Sequence, residues 1–494
     1  MIMTMVQKKL INAVSTKHIC WGWLFVLIFL FNQPIMAQSG DSHCDKAIAL
    51  FQHGDFLALQ QLQDVIRNST QVASQYKQEI DSLVEISRRI QHDFNLSETE
   101  VDTLLQKQGV HYTPAEKQDW ETKGWLECRS INGEKCYFSR SASNLKLRLK
   151  QVQESMTDSL PPLDELSKFR LTHTATVIDQ TKLNGQLIDP VDFKITYTIT
   201  VKPDVVPEGD TLRCWMPYPK EDYARQTNVV LLHTFPGGFR IAPDSVGQRS
   251  VYFEQKVKKG EPTVFQISFI YRSYAQSYDL SSLSPLPYNT SSQLYRNYTA
   301  EQPPHIVFSN EIKHLADSIV GSTSEPVGIV RKLYTWINQN IIWSGALEYS
   351  TMANIPHYVL TNRKGDCGMQ TLLFMSMARY KGIPVKWQSG WMMHPNEVNL
   401  HDWSQVYYEG IGWVPVDVSF GLQQSGNRRI HDFYVSGIDS YRLIINDAIS
   451  TPFFPPKHFM RSEPVDFQRG EVESSHGNLY FDQWKYSMQV EYVK

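Results

Sequence analysis

Charge of one sign is the first thing this sequence lacks: 48 Lys and Arg stand against 51 Asp and Glu in 494 residues, a formal net charge of −3. A chain so balanced has no general field to draw nucleic acid or an anionic membrane, and neither is expected as a partner. Long apolar runs are missing too. The stretch Ile19–Phe31 comes nearest, and it is short for a bilayer span of ~20 residues. The absence of internal repeats and low-complexity segments excludes a solenoid. His357, His431 and Asp432 show no metal-ligand spacing, so no catalytic metal and no cofactor are expected.

What is present describes a folded, exported chain. A hydrophobic fraction of 41% with 20% charged residues fits a globular protein, and the length suggests about three domains. Aromatic residues make up 12% and fall largely in alternating runs, which favours β-rich layers with large buried side chains. Lys8, Lys9 and Lys17 precede the apolar stretch, and Ala37 offers a small residue before a cleavage point. Residues 1–37 therefore read as a secretory signal. The mature chain is expected outside the cytoplasm (periplasmic, cell-surface or secreted) with no membrane span. Cysteine is scarce. Loss of Cys20 leaves Cys44, Cys128, Cys136, Cys214 and Cys367, an odd number, so at least one thiol stays unpaired within a monomer. Cys128 and Cys136 flank Asn132-Gly133, a hairpin turn signal. They are expected to face each other across two strands, either as a disulfide or as two buried thiols. Cys367 is the one expected to remain free.

Along the chain the apolar period changes. Ala47, Leu50, Phe51, Leu57 and Leu62, then Ile80, Leu83, Val84, Ile86 and Ile90, recur at helical spacing. Polar linkage is expected to run on to Thr113, followed by Trp120, Trp125 and the cysteine hairpin. From Phe169 to Tyr271 the period becomes two: Phe193, Ile195, Tyr197, Ile199 and Val201 alternate with polar residues, as do Phe265, Ile267, Phe269 and Tyr271. Short strands so spaced predict an antiparallel β-sandwich. Residues 278–304, rich in Ser, Tyr and Pro, read as a surface connection that could lie over a neighbouring domain. Helical pattern returns with Val330, Leu333, Tyr334, Ile337 and Ile341, after Pro326 in a favourable first-turn position.

Chemistry concentrates at Gly365-Asp366-Cys367-Gly368. Asp366 is a competent N-cap, and Met369, Leu372, Leu373, Met377 and Tyr380 follow at helical spacing until Gly382 and Pro384 end the helix. Cys367 thus falls in the first turn, where free N–H groups and the helix dipole favour a thiolate and could hold an oxyanion. Downstream, Glu409-Gly410-Ile411-Gly412 makes a turn between two strands. A pairing centred on residue 409 sets His401 opposite Asp417 on one face, the geometry by which a carboxylate orients an imidazole. Cysteine, histidine and aspartate are a nucleophile, its base and the group that orients the base. Asp402 points to the opposite face of its strand and reads as structural. His394 reads as part of a surface loop.

Gly365-Asp366-Cys367, Gly382-Ile383-Pro384, Ser389-Gly390, His401-Asp402-Trp403 and the Gly412 to Asp417 strand together resemble the bacterial branch of the transglutaminase-like superfamily, over roughly residues 304–421. The resemblance implies a papain-like α+β core with Cys367 as nucleophile, His401 as base and acid, and Asp417 as orienter. Gln388, close after the nucleophile helix, and Trp403 are oxyanion or substrate-binding candidates, and the resemblance adds Trp343 as an upstream aromatic. Two departures are Gln405, where the family often has Glu, and Lys386 in place of the usual Arg. Neither removes a member of the triad.

The expected layout is a signal peptide (1–37), a helical and hairpin region (38–165), a β-sandwich (166–276), a linker (277–305), a transglutaminase-like catalytic domain (306–430) and a β-rich tail (431–494). The expected activity is cysteine-dependent cleavage of an amide bond through a thioester, in a peptide, protein or cell-wall-like substrate. Amine transfer to protein glutamine, as in a cross-linking transglutaminase, and a non-catalytic binding module are the rival readings. Oligomeric state is not legible.

Overall fold

Two capping boxes organise the first part of the chain. In the computed structural model, which describes residues 42–69, 72–155, 162–221, 223–395 and 397–493, Ser97 caps the helix Glu98–Lys107 and Thr113 caps Pro114–Thr122. Each cap accepts from the N–H of a glutamate three residues on, and that carboxylate returns to the cap's own N–H. The region expected as polar linkage is therefore largely helical. Its signal lies in Ser97 and Glu100 rather than in apolar periodicity. Helices Ser42–His53, Phe56–Arg67 and Ser74–Asp93 precede these. Strands β1 (Cys128–Ile131) and β2 (Glu134–Tyr137) and the helix Ser141–Ser155 follow. Val101, Leu105, Trp120, Leu126, Tyr137 and Leu145 form the local core. Among the described residues, those up to 155, with 303–305 and 351–354, make one compact unit, and the others make the second. The expected signal segment and Cys20 lie outside the described residues.

The hairpin corrects one expectation. A two-residue turn at Asn132 and Gly133, both with positive φ, sets Cys128 opposite Tyr137 and Cys136 opposite Arg129. That register is one residue away from pairing the two cysteines, so their side chains leave on opposite faces. Both thiols are free.

The second unit opens with a helix, Glu165–Gln180, capped by Asp164 and burying His173, Thr174, Val177 and Ile178. The change to period two therefore comes after Phe169. It begins with β3 (Leu187–Val201), followed by β4 (Thr211–Pro217), β5 (Gln226–Phe235), β6 (Phe239–Ile241), β7 (Ser250–Lys256) and β8 (Thr263–Ser277). In β3 and β8 the alternating residues pair across the strands, Phe193 with Tyr271, Ile195 with Phe269 and Tyr197 with Ile267, all buried. After a short parallel pair, β9 (Ile342–Trp343) with β10 (Lys364–Gly365), come β11 (Val385–His394), β12 (Glu397–Tyr408) and β13 (Gly412–Val416). The last strands are β14 (Gly437–Ile438), β15 (Arg442–Asn446), β16 (Glu471–Glu473), β17 (Asn478–Leu479) and β18 (Trp484–Val493).

Three larger sheets result: β14-β8-β3-β18 with β5 on β8, β17-β16-β4-β7-β6, and β13-β12-β11-β15. The segment expected as a tail supplies strands to all three. The first two sheets share one apolar core, which Trp391, Met393, Leu443 and Ile445 join from one face of the third sheet. Tyr197 meets Trp391 at a centroid distance of 4.8 Å. Full burial of each such side chain is worth about 1.5–3 kcal/mol, so the sandwich fixes where the third sheet sits. The Tyr-rich connection contains the helix Gln293–Thr299 and lies over the β12–β13 hairpin. Tyr288 Oη donates to the Tyr407 carbonyl (2.8 Å) and Tyr298 packs edge-on against Trp413.

Candidate active site

Cys367 opens the helix Cys367–Tyr380. Asp366 caps it by accepting from Met369 N–H at 3.1 Å, and Tyr349 Oη donates to the same carboxylate oxygen. Met369, Leu372, Leu373, Met375 and Met377 are buried, which holds the helix start in place. The thiol donates to Asp402 Oδ2 at 3.4 Å. Asp402 Oδ1 in turn accepts from Gln468 Nε2 at 2.7 Å, and the same amide donates to the His401 carbonyl at 2.8 Å. Burial, then the charges of Asp402 and Asp366, push the Cys367 thiol well above its ordinary range. Asp402 is raised as well, by burial first and then by Asp466 and Asp366. The same burial holds Asp466 up at about 7, against the opposing charge of Arg469. The thiol is therefore a neutral S–H lodged among acids, one of which takes its hydrogen bond.

His401 and Asp417 meet elsewhere. His401 Nε2 lies 2.7 Å from Asp417 Oδ2, and both side chains are buried. Pairing of β12 with β13 sets Ser404 opposite Val416 and Tyr408 opposite Gly412, so the turn centres on Gly410 rather than on residue 409. Asp417, just past the end of β13, then faces Trp403, and His401 is its diagonal neighbour on the same face. The change of centre preserves the face because the side-chain period is two. Arg442 Nη2 sits 3.0 Å from the same Asp417 oxygen. Burial alone would raise Asp417, but His401 and Arg442 prevail and hold it at about 2. His401 is lowered, by burial foremost, with Arg442 adding to it and Asp417 opposing.

Consecutive residues of a strand point to opposite faces. Hence the structure brings His401 to Asp417 and Cys367 to Asp402, and it does not join the thiol to the imidazole. Asp402, read from sequence as structural, is the residue that touches the sulfur. The sequence could not show which face of β12 receives the Cys367 helix. Trp403 stacks beside His401 at 5.9 Å, and its Nε1 donates to Gln388 Oε1 at 2.7 Å. Gln388 thus lies on the His401 face, its side chain reaching both Trp403 and Tyr223. Trp343 is half exposed and pairs with Gly365 across β9 and β10, two residues from the thiol. His394, expected in a surface loop, ends β11 fully buried at 3.2 Å from Asp439. It packs against Phe169, Phe420 and Tyr441, and that aromatic enclosure explains the correction. Arg442, Asp439 and Gln468 went unnoticed in the sequence because each reaches the site from beyond residue 430.

Residues 313–418, which include Cys367, His401 and Asp417, match the model of the transglutaminase-like superfamily. Residues 313–418 therefore form a transglutaminase-like domain. The chain is 23% identical over 290 residues to an uncharacterized protein of Haemophilus influenzae, covering 50% of this chain and 72% of that one. Among solved structures, a candidate cysteine protease from Cytophaga hutchinsonii is 15% identical, with a TM-score of 0.43, covering 63% of this chain and 93% of that one. The periplasmic domain of TgpA from Pseudomonas aeruginosa is 14% identical, with a TM-score of 0.25, covering 55% of this chain and 98% of that one. The assignment rests on the family model.

Proposed function

We propose that this chain is a cysteine hydrolase that cleaves an amide bond in a peptide, protein or cell-wall-like substrate outside the cytoplasm. The observation that carries the reading is the buried His401–Asp417 pair at 2.7 Å, lying in the family-matched segment that also begins the Cys367 helix. In the proposed cycle His401 removes the thiol proton and the Cys367 thiolate attacks the carbonyl carbon. A C–S bond forms and the carbonyl oxygen takes the electron pair. When the tetrahedral intermediate collapses, the C–N bond breaks and the leaving amine takes its proton from His401. Water, deprotonated by His401, then attacks the thioester, releasing the acid and restoring the thiol. Asp417 keeps the imidazole in one tautomer and orientation throughout. The cycle requires Cys367 to leave Asp402 and meet the imidazole.

The Cys367–Asp402 contact favours a second reading, a binding module that keeps the fold with an inert thiol. Turnover separates the two. Peptide and peptidoglycan-fragment libraries are incubated with wild type, Cys367→Ala and His401→Ala in the presence of a labelled amine. The hydrolase reading expects new carboxyl and amine ends with wild type alone. Equal cleavage by Cys367→Ala would reject it, and amine incorporation exceeding hydrolysis would replace it with acyl transfer. No helix among the described residues is long and apolar enough to cross a membrane. The extracytoplasmic assignment rests on the Lys8 to Ala37 pattern.

A further inference from the structure

The oxygen of Asp417 that meets His401 is shared. Arg442 Nη2 approaches Asp417 Oδ2 and Asp439 Oδ2 at 3.0 Å each, and Arg442 Nε lies 3.3 Å from both Asp439 oxygens. The guanidinium is fully buried. It lies over the Phe420 ring at 4.1 Å, and the His401 imidazole packs against that same ring at 4.7 Å. A cation in so dry a place is held by two carboxylates, because losing either would leave a buried charge without compensation. Arg442 stands in β15, outside the family-matched segment.

We propose that Arg442 is a positioning residue for the His401–Asp417 pair, clamping the Asp417 carboxylate in place and biasing His401 toward the neutral imidazole that can accept a proton. The inference rests on the reading of His401 as the proton carrier. Every charged or titratable group packed around the pair bears on it. Asp417 stabilises the imidazolium directly, and Asp439 does so from the turn before β15. Arg442 opposes both from 3.0 Å. His394, at the end of β11, is spent on Asp439. Arg225 Nη2 donates to the Asp439 carbonyl, and Arg170 lies over Phe420 and Tyr434. Tyr434 Oη donates to Asp439, and Tyr334 Oη donates to the Asp417 carbonyl. Of the three arginines, Arg442 alone is ion-paired to the carboxylate that touches His401. A lysine there would keep the charge but not the fork that spans two carboxylates.

The test is the titration of the His401 ring nitrogens by NMR, in protein carrying Cys367→Ala so that turnover plays no part. Arg442→Met should raise the His401 midpoint by about one pH unit or more, a tenfold change in the protonation equilibrium. Arg442→Lys should restore most of the wild-type value. An unchanged midpoint in Arg442→Met overturns the proposal. Should Arg442→Met fail to fold, the protein with Arg442 intact still decides. The buried Arg442 Nε–H resonance should shift with the same midpoint as His401, and that shift should vanish in His401→Gln. An Arg442 resonance indifferent to the His401 titration overturns the proposal equally. These readouts do not depend on hydrolysis: a shifted midpoint without any amide cleavage would leave Arg442's role standing and remove the hydrolase reading, and cleavage with an unmoved midpoint would do the reverse.

Discussion

Asp417→Asn removes one charge from the carboxylate that meets His401 while keeping its shape. The pKa of Asp417 lies at about 2 because His401 and Arg442 favour its ionised form, against an ordinary aspartate near 3.9. At ~1.4 kcal/mol per unit, ionisation of Asp417 contributes about 2–3 kcal/mol to folding at neutral pH. The variant also leaves the buried Arg442 with Asp439 as its remaining ion-pair partner, and breaking a buried pair costs about 3–5 kcal/mol. A loss of about 3 kcal/mol at pH 7 is therefore expected. The sign with pH follows from a native pKa that is depressed. The contribution is complete above the unfolded pKa and is lost as pH falls through the native one. Between pH 4 and pH 2 wild type should approach the variant, with roughly half the ionisation contribution gone near pH 3. Urea unfolding followed by tryptophan fluorescence measures the difference, and hydrogen exchange should place the loss in β11, β12 and β13. A difference below about 1 kcal/mol at pH 7, or one that does not shrink on acidification, would refute the account of Asp417.

Three further predictions concern packing and the thiol. At Gly390, where β11 bulges against β15, a Cβ would lie 1.9 Å from the Leu443 carbonyl oxygen. Gly390→Ala should therefore force the strands apart, cost at least the ~1–3 kcal/mol of an overpacked core, and speed exchange of the β15 amides. Trp391→Ala empties a fully buried site shared with the sandwich and should cost about 3–5 kcal/mol, read from the urea midpoint. Burial and the acids around Cys367 raise its pKa, so iodoacetamide should label it slowly at pH 7 and faster as pH rises. Asp402→Asn removes one of those negative neighbours and should shift that profile to lower pH; slower labelling in the variant would show that Asp402 draws the proton off rather than retaining it.

Local rules explain what could be read from the sequence. Asp366 with the apolar repeat behind Cys367 specifies a helix start, and the alternation in β3 and β8 specifies half-buried strands. Both are signals within a few residues, and both elements form as expected. The His401–Asp417 contact was legible because a hairpin is also local, and a two-residue error in register preserves the face. The one-residue error at Cys128 and Cys136 does not, so there the same reasoning failed. What stayed hidden depends on contacts distant in sequence. Asp402 meets Cys367 because the helix packs on that face of β12, and Gln468 and Arg442 arrive from strands and loops that follow the site in the chain. Nothing in the composition around residue 442 or 468 marks them as site residues. Their role comes from topology.

The central claim is that Cys367 forms the acyl intermediate. The most direct test is an acid quench of wild-type protein during turnover of a peptide from the profiled library, followed by mass spectrometry of the Cys367 peptide. The account predicts an added acyl mass on Cys367 that hydroxylamine removes, as it does a thioester, and that is absent from Cys367→Ala. Turnover that continues in Cys367→Ala, with no hydroxylamine-labile mass on Cys367 in wild type, would contradict it.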